Sequence, residues 1–170
     1  MSVGLTVPAA PTAHLLALLE QLDELLTRVD DECYRSVRAR EVSGSIGGHV
    51  RHCLDHVAAL AHGVRRGRID YDARVRGTAI ESRQDAARGE IARLVDGLRR
   101  MDSHSADLPV WVDVGGADLA PSTLGRELAF VCSHTIHHFA ILALLLHDRG
   151  VRVPPRFGYA PSTPSPELAA

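Results

Sequence analysis

Lysine is absent from this 170-residue chain: all 19 of its basic residues are arginine. That absence removes Schiff-base chemistry and any Walker-type phosphate loop, both of which need a lysine amine. Aromatic residues are scarce, at 4%, so the core must be assembled largely from Leu, Val, Ile and Ala. Such a composition suits helices better than a β-sandwich, whose strands draw on aromatic and β-branched side chains. Net charge is small as well, −2, and no basic stripe interleaved with aromatics occurs, so no nucleic-acid partner is expected. The three cysteines, Cys33, Cys53 and Cys132, are an odd number without CxxC spacing. Met1 to Ala10 lack a basic stretch followed by a long apolar run, so no signal peptide is predicted, and a reducing, cytoplasmic setting is expected. The longest apolar run, Phe139 to Leu146, falls far short of the ~20 residues that span a bilayer, and no membrane partner is expected.

What is present is ordinary in bulk: 45% apolar and 24% charged residues, in a length that favours one domain over residues 1–170. Four segments carry helical periodicity. The first runs from about Thr12 to about Val37, with Leu15, Leu18, Leu19, Leu22, Leu25, Leu26 and Val29 at three- and four-residue steps. Ser43-Gly44-Ser45 interrupts it, and Ser45 is placed to cap a second helix ending near Arg66, before Gly67. The stretch from Arg68 to Arg74 is polar and reads as a connector. A third helix is predicted from about Ser82 to Met101, with Ile91, Leu94, Val95 and Leu98 on one side.

Val110-Trp111-Val112-Asp113-Val114 alternates and meets Gly115-Gly116, which predicts a short hairpin. Ser122 or Thr123 then opens a fourth helix that closes at Gly150. This last helix is apolar nearly all round, the mark of a helix buried on most sides. The Pro-rich tail from about Val151 is expected to lie extended on the surface. The fold class that follows is all-α, a four-helix bundle with a short hairpin before its last helix.

Ten histidines are present, and six of them crowd into two helices. The second helix carries His49, His52 and His56; the fourth carries His134, His137 and His138. At 3.6 residues per turn His134 and His138 lie about 40° apart and one turn from each other, so they share a face. His49 and His56 lie about 20° apart over two turns, with His52 displaced by about 60°. Imidazoles at i and i+4 on an inward face, joined by a third from a facing helix, make a facial set for one divalent ion. Neutral imidazole suits Zn, Ni, Cu or Fe(II) rather than Mg or Ca.

Glu127, seven residues before His134, lies on the same stripe as a candidate fourth ligand, ligand-orienting partner or general base; as a residue of the first turn it also complements the helix dipole. His14, His62, His104 and His147 read as ordinary packing histidines, and Cys53 and Cys132 as small buried hydrophobes. A carboxylate-bridged di-iron site is excluded, because no Glu stands three residues before any histidine. A b-type haem fits poorly with so many histidines and so few aromatics.

These residues resemble the DinB/YfiT-like superfamily of metal-binding four-helix bundles. The likeness rests on His49-Val50-Arg51-His52 in the second helix and on the HxxxH of His134 to His138 in the fourth. The Tyr71-Asp72-Ala73-Arg74 connector and the tail Phe157-Gly158-Tyr159-Ala160-Pro161-Ser162-Thr163 are similar to a small subgroup of it. The resemblance implies a long crossover between the second and third helices, and one divalent transition metal ion (Zn, Ni or Fe) held by His52, His134 and His138. Helical geometry instead places His49 and His56 nearer the apolar stripe of Val50, Cys53, Val57 and Leu60, so the second-helix ligand is open among three, with His137 a further spare histidine. Phe139-Ala140 stands where relatives often carry Arg-Gly after the final ligand.

Similar proteins include thiol-dependent transferases and isomerases, and iron-dependent sulfoxide synthases carry a related domain. The resemblance therefore implies a metal-dependent S-transferase or hydrolase acting on a small molecule with a low-molecular-weight thiol, and a homodimer as its assembly; Glu127 on the helix stripe, or a spare histidine, His49 or His137, is the candidate catalytic group that moves protons. The competing expectations are a non-catalytic metal-binding stress-response protein and a helical interaction module with a vestigial site.

Overall fold

A computed structural model of the chain describes residues 12–37, 44–101, 104–115 and 118–164. These residues form six helices and a three-stranded sheet. Helix α1 (Ala13–Leu26) buries Leu15, Leu18, Leu19, Leu22, Leu25 and Leu26, the stripe that its periodicity announces. The predicted single helix to Val37 does not form. The chain turns after Leu26, and the Asp30 side chain accepts a hydrogen bond from the Cys33 amide (2.7 Å) to start a short second helix, α2 (Asp31–Arg35). Asp30 offers a cap that competes with continued helix. The new direction buries Tyr34, whose hydroxyl donates to the Ile80 carbonyl at 2.6 Å.

Helix α3 (Ile46–Val64) starts where the sequence predicts, with the Ser45 hydroxyl accepting from the Gly48 amide. Two glycines set its neighbours. A Cβ on Gly47 would lie 2.1 Å from the Glu81 carbonyl oxygen and 2.7 Å from the Tyr34 ring, so only glycine lets those segments approach. A Cβ on Gly63 would lie 2.7 Å from the Arg68 carbonyl oxygen and from Ile69, where the chain folds back against α3 as strand β1 (Arg68–Ile69). The third predicted helix forms as α5 (Gln84–Arg99), and a short unpredicted helix, α4 (Ala79–Ser82), precedes it and ends at an extended Arg83.

Strand β2 (Pro109–Asp113) pairs antiparallel with β3 (Leu119–Thr123), as the alternating pattern predicts, and parallel with β1 on its other side. An all-α class therefore gives way to a mostly helical fold with a small sheet. β1 escapes sequence reading because two residues cannot show an alternation. Thr123 caps α6 (Leu124–His147), accepting from the Arg126 amide. By length and composition alone α6 could cross a membrane, but its inward side, including Leu128, Val131, Phe139, Leu142, Leu145 and Leu146, is buried in the core that it shares with α1, α3 and α5. The tail also departs from expectation: Phe157 is buried and stacks on Phe139, with ring centroids 4.2 Å apart. In a chain with so few aromatics, that pair closes the core beside the second half of α6.

Candidate metal centre

The contact between α3 and α6 brings five histidines together. His49, His52 and His56 come from three successive turns of α3, and His134 and His138 from adjacent turns of α6. His52 Nε2 lies 3.0 Å from His134 Nε2. The His138 ring lies 4.6 Å from that of His52 and 4.7 Å from that of His134, and its Nδ1 is 3.2 Å from His49 Nδ1. His56 donates its Nδ1–H to the His52 carbonyl oxygen (3.0 Å), and its ring is layered between Tyr71 at 5.4 Å and His134 at 3.9 Å. His137 points outward and touches only the edge of this group, 5.3 Å from the His138 ring. His14, His62, His104 and His147 are exposed and stand apart from it, on the surface rather than in the core.

Crowding within a half-buried space holds His52, His134 and His138 neutral. Burial, reinforced by the neighbouring His56 and His134, pulls His52 down to about 4. Burial and His56 pull His134 down to about 4, and burial with His52, His134 and His49 takes His138 to about 3. Near pH 7 each ring therefore keeps a lone pair for an ion, the state that ligation requires.

Three of these histidines lie close enough together to hold a metal ion. Two nitrogens about 2.1 Å from one ion and at right angles to each other lie about 3.0 Å apart, which is the spacing between His52 and His134. The three whose ligating nitrogens converge within 4.8 Å are His52, His56 and His134. His56 and His134 are stacked with only 21° between their planes, however, and an imidazole lone pair lies in its ring plane. Near-parallel rings cannot both aim at one ion. The rings of His52, His134 and His138 are mutually inclined by 57° to 76°.

The chain belongs to the DinB superfamily. The family model matches residues 14–142, which take in α3, His134 and His138 of α6 and all but the first residue of α1. A DinB-like protein of Bacillus subtilis, YjoA, superposes with a TM-score of 0.66 at 19% identity, covering 88% of this chain and 99% of its own. FK506-binding protein 5 of Rhizopus delemar is 31% identical over 101 residues, which are 56% of this chain and 26% of that protein, so the chain spans about a quarter of this curated relative.

Glu127 occupies a separate polar hub one side of the histidines. It is fully buried. Its Oε1 accepts from Ser122 Oγ (2.6 Å) and Arg126 Nη1 (2.7 Å), and its Oε2 accepts from the Tyr71 hydroxyl (2.9 Å). None of these is a hydrogen bond to a histidine; Glu127 reaches the cluster through Tyr71, whose ring stacks on His56, and through Arg126, which lies over the Phe130 ring beside His134. Tyr71 is itself held protonated, its hydroxyl pushed up by burial and by Glu127. Four participants lay outside the set of candidate site residues: Tyr71, Arg74, Ser122 and Arg126. Arg74 Nη1 lies 3.0 Å from His52 Nδ1. Tyr71 and Arg74 both stand in the connector already marked by its resemblance to relatives. Their spacing gave no chemical signal, because a connector has no periodicity from which to infer a facing side chain.

Proposed function

We propose that this protein is a metal-dependent enzyme that holds one divalent transition metal ion between α3 and α6 through His52, His134 and His138. The 3.0 Å separation of the His52 and His134 Nε2 atoms carries this reading. His138 completes the facial set through Nε2, its Nδ1 being engaged by His49. When bound, such an ion supplies Lewis acidity that makes a thiolate or hydroxide available near neutral pH. The reaction class is transfer to or from a low-molecular-weight thiol, or hydrolysis, on a small-molecule substrate. The four long helices, α1, α3, α5 and α6, act as the bundle, and the segment from Arg65 to Arg83 is its long crossover. A cytoplasmic homodimer is the working assembly.

The roles of the chain's own residues follow from their contacts. His56, layered between Tyr71 and His134, walls the site and orients His134. Glu127 anchors Tyr71 and so fixes that wall; with its oxygens engaged by three donors it is a positioning residue in this reading, not a free base. His49 supports His138 and is placed to move a proton at Nδ1.

Elemental analysis after purification without chelator, followed by zinc, nickel and iron(II) titrations of the wild type and of His134→Ala, tests the ligand set. One ion per chain, lost in the variant, is expected. A panel of glutathione, mycothiol and bacillithiol with electrophiles then tests the chemistry, and absence of metal-dependent turnover across it would reject the enzyme. A non-catalytic ion that cross-links α3 and α6 is the second reading, favoured by the saturation of Glu127, the buried carboxylate among the described residues. It predicts a large fall in melting temperature with chelator and no turnover. No metal uptake at all would favour the interaction module.

A further inference from the structure

We propose that Arg74 is a latch on the metal centre, opposing ligation by His52 until the ion displaces it. The inference rests on the metal reading above and adds a residue that controls loading. The Arg74 guanidinium has only donors, so at 3.0 Å from Arg74 Nη1 the His52 Nδ1 must accept. A neutral imidazole carries one proton, which this contact confines to Nε2. That is the nitrogen facing His134, and a protonated nitrogen cannot ligate.

For Nε2 to hold an ion the proton must move to Nδ1, where an N–H would meet the N–H of Arg74 head on. The arginine then has to leave. Asp72 already pairs with its other terminal nitrogen, Oδ1 lying 3.6 Å from Arg74 Nη2, and can hold the guanidinium once His52 is released. A cavity of about 340 Å³ lined by Asp55, Asp70 and Arg74 itself gives the side chain room to move. Displacement also separates two like charges, the guanidinium and the ion, whose repulsion weakens with salt.

The experiment measures zinc affinity by competition with a chromophoric chelator for the wild type, Arg74→Met and Arg74→Lys, alongside the nitrogen-15 spectrum of the histidine rings after metal removal. Arg74→Met is expected to bind zinc about tenfold more tightly at low ionic strength, the gain shrinking in high salt. Arg74→Lys, which keeps a cation and a donor, restores affinity towards the wild type. In the metal-free wild type His52 is expected as the Nε2–H tautomer, and Arg74→Met shifts it towards Nδ1–H. Equal or weaker zinc binding by a folded Arg74→Met protein overturns the latch, as does an unchanged tautomer. If the wild type takes up no zinc, the metal reading fails while the tautomer measurement still decides the role of Arg74; should Arg74→Met not fold, Arg74→Leu, which likewise carries no donor, replaces it in both measurements.

Discussion

Two polar clusters sit on the same helix about two turns apart, and they are satisfied in opposite ways. The Glu127 hub is closed: one buried carboxylate receives Tyr71, Ser122 and Arg126. In the histidine cluster nitrogens face nitrogens, at 3.0 Å between His52 and His134 and at 3.2 Å between His49 and His138. A buried anion with several donors is complete in itself. Three of the cluster's imidazoles, His52, His134 and His138, are held neutral below their ordinary pKa, and a neutral imidazole retains one nitrogen able to ligate. The connector joins the two, for Tyr71 binds the hub and Arg74, three residues on, binds the cluster.

The comparison breaks most visibly at the hub. Glu127→Ala should cost about 2–4 kcal/mol, because it strands the Tyr71 and Ser122 hydroxyls and removes charge-assisted bonds; urea unfolding measures it, and a loss below about 1 kcal/mol would mean that the hub is not structural. The cluster should respond in the other currency. His134→Ala is expected to lower zinc affinity at least about a hundredfold while leaving the stability of chelator-treated protein unchanged or slightly improved, which isothermal titration and thermal melts can separate.

A pH series sharpens the contrast. The pKa values of His52, His134 and His138 are depressed in the folded state, so below about pH 6.5, the ordinary histidine value, the unfolded chain takes up protons that the folded chain refuses. Stability of the metal-free protein should hold above that pH and decline as pH falls towards 4. A flat profile across this window would show the cluster to be solvated. The smallest effect is expected from Tyr71→Phe, about 1 kcal/mol, together with a change in the ring environment of His56 visible in its NMR signals.

Much of this arrangement could be seen in the residue order. The Leu stripe of α1, the Ser45 cap of α3, the hairpin before α6 and the HxxxH of His134 and His138 all follow from local rules of periodicity and capping. The direction of the chain after Asp30 and the two-residue β1 did not, because each is fixed by contacts with distant segments: Tyr34 with Ile80, and Arg68 and Ile69 with Trp111 and Val112 of β2. The burial of Phe157 was equally invisible, since a tail rich in proline gives no sign that one ring will find Phe139.

The histidines divide along the same line. Sequence by itself determined that α6 presents His134 and His138 on one face, because a 3.6-residue helix fixes that angle before any tertiary contact exists. Only the tertiary structure decided how the α3 histidines share the work. The rotation of one helix against another is set by side-chain packing rather than by spacing, and it brought His52 to His134 while turning His56 into a stacked wall. The same packing brought Tyr71 to Glu127 and set Arg74 against His52, contacts between residues 56 and 22 positions apart for which no local pattern exists.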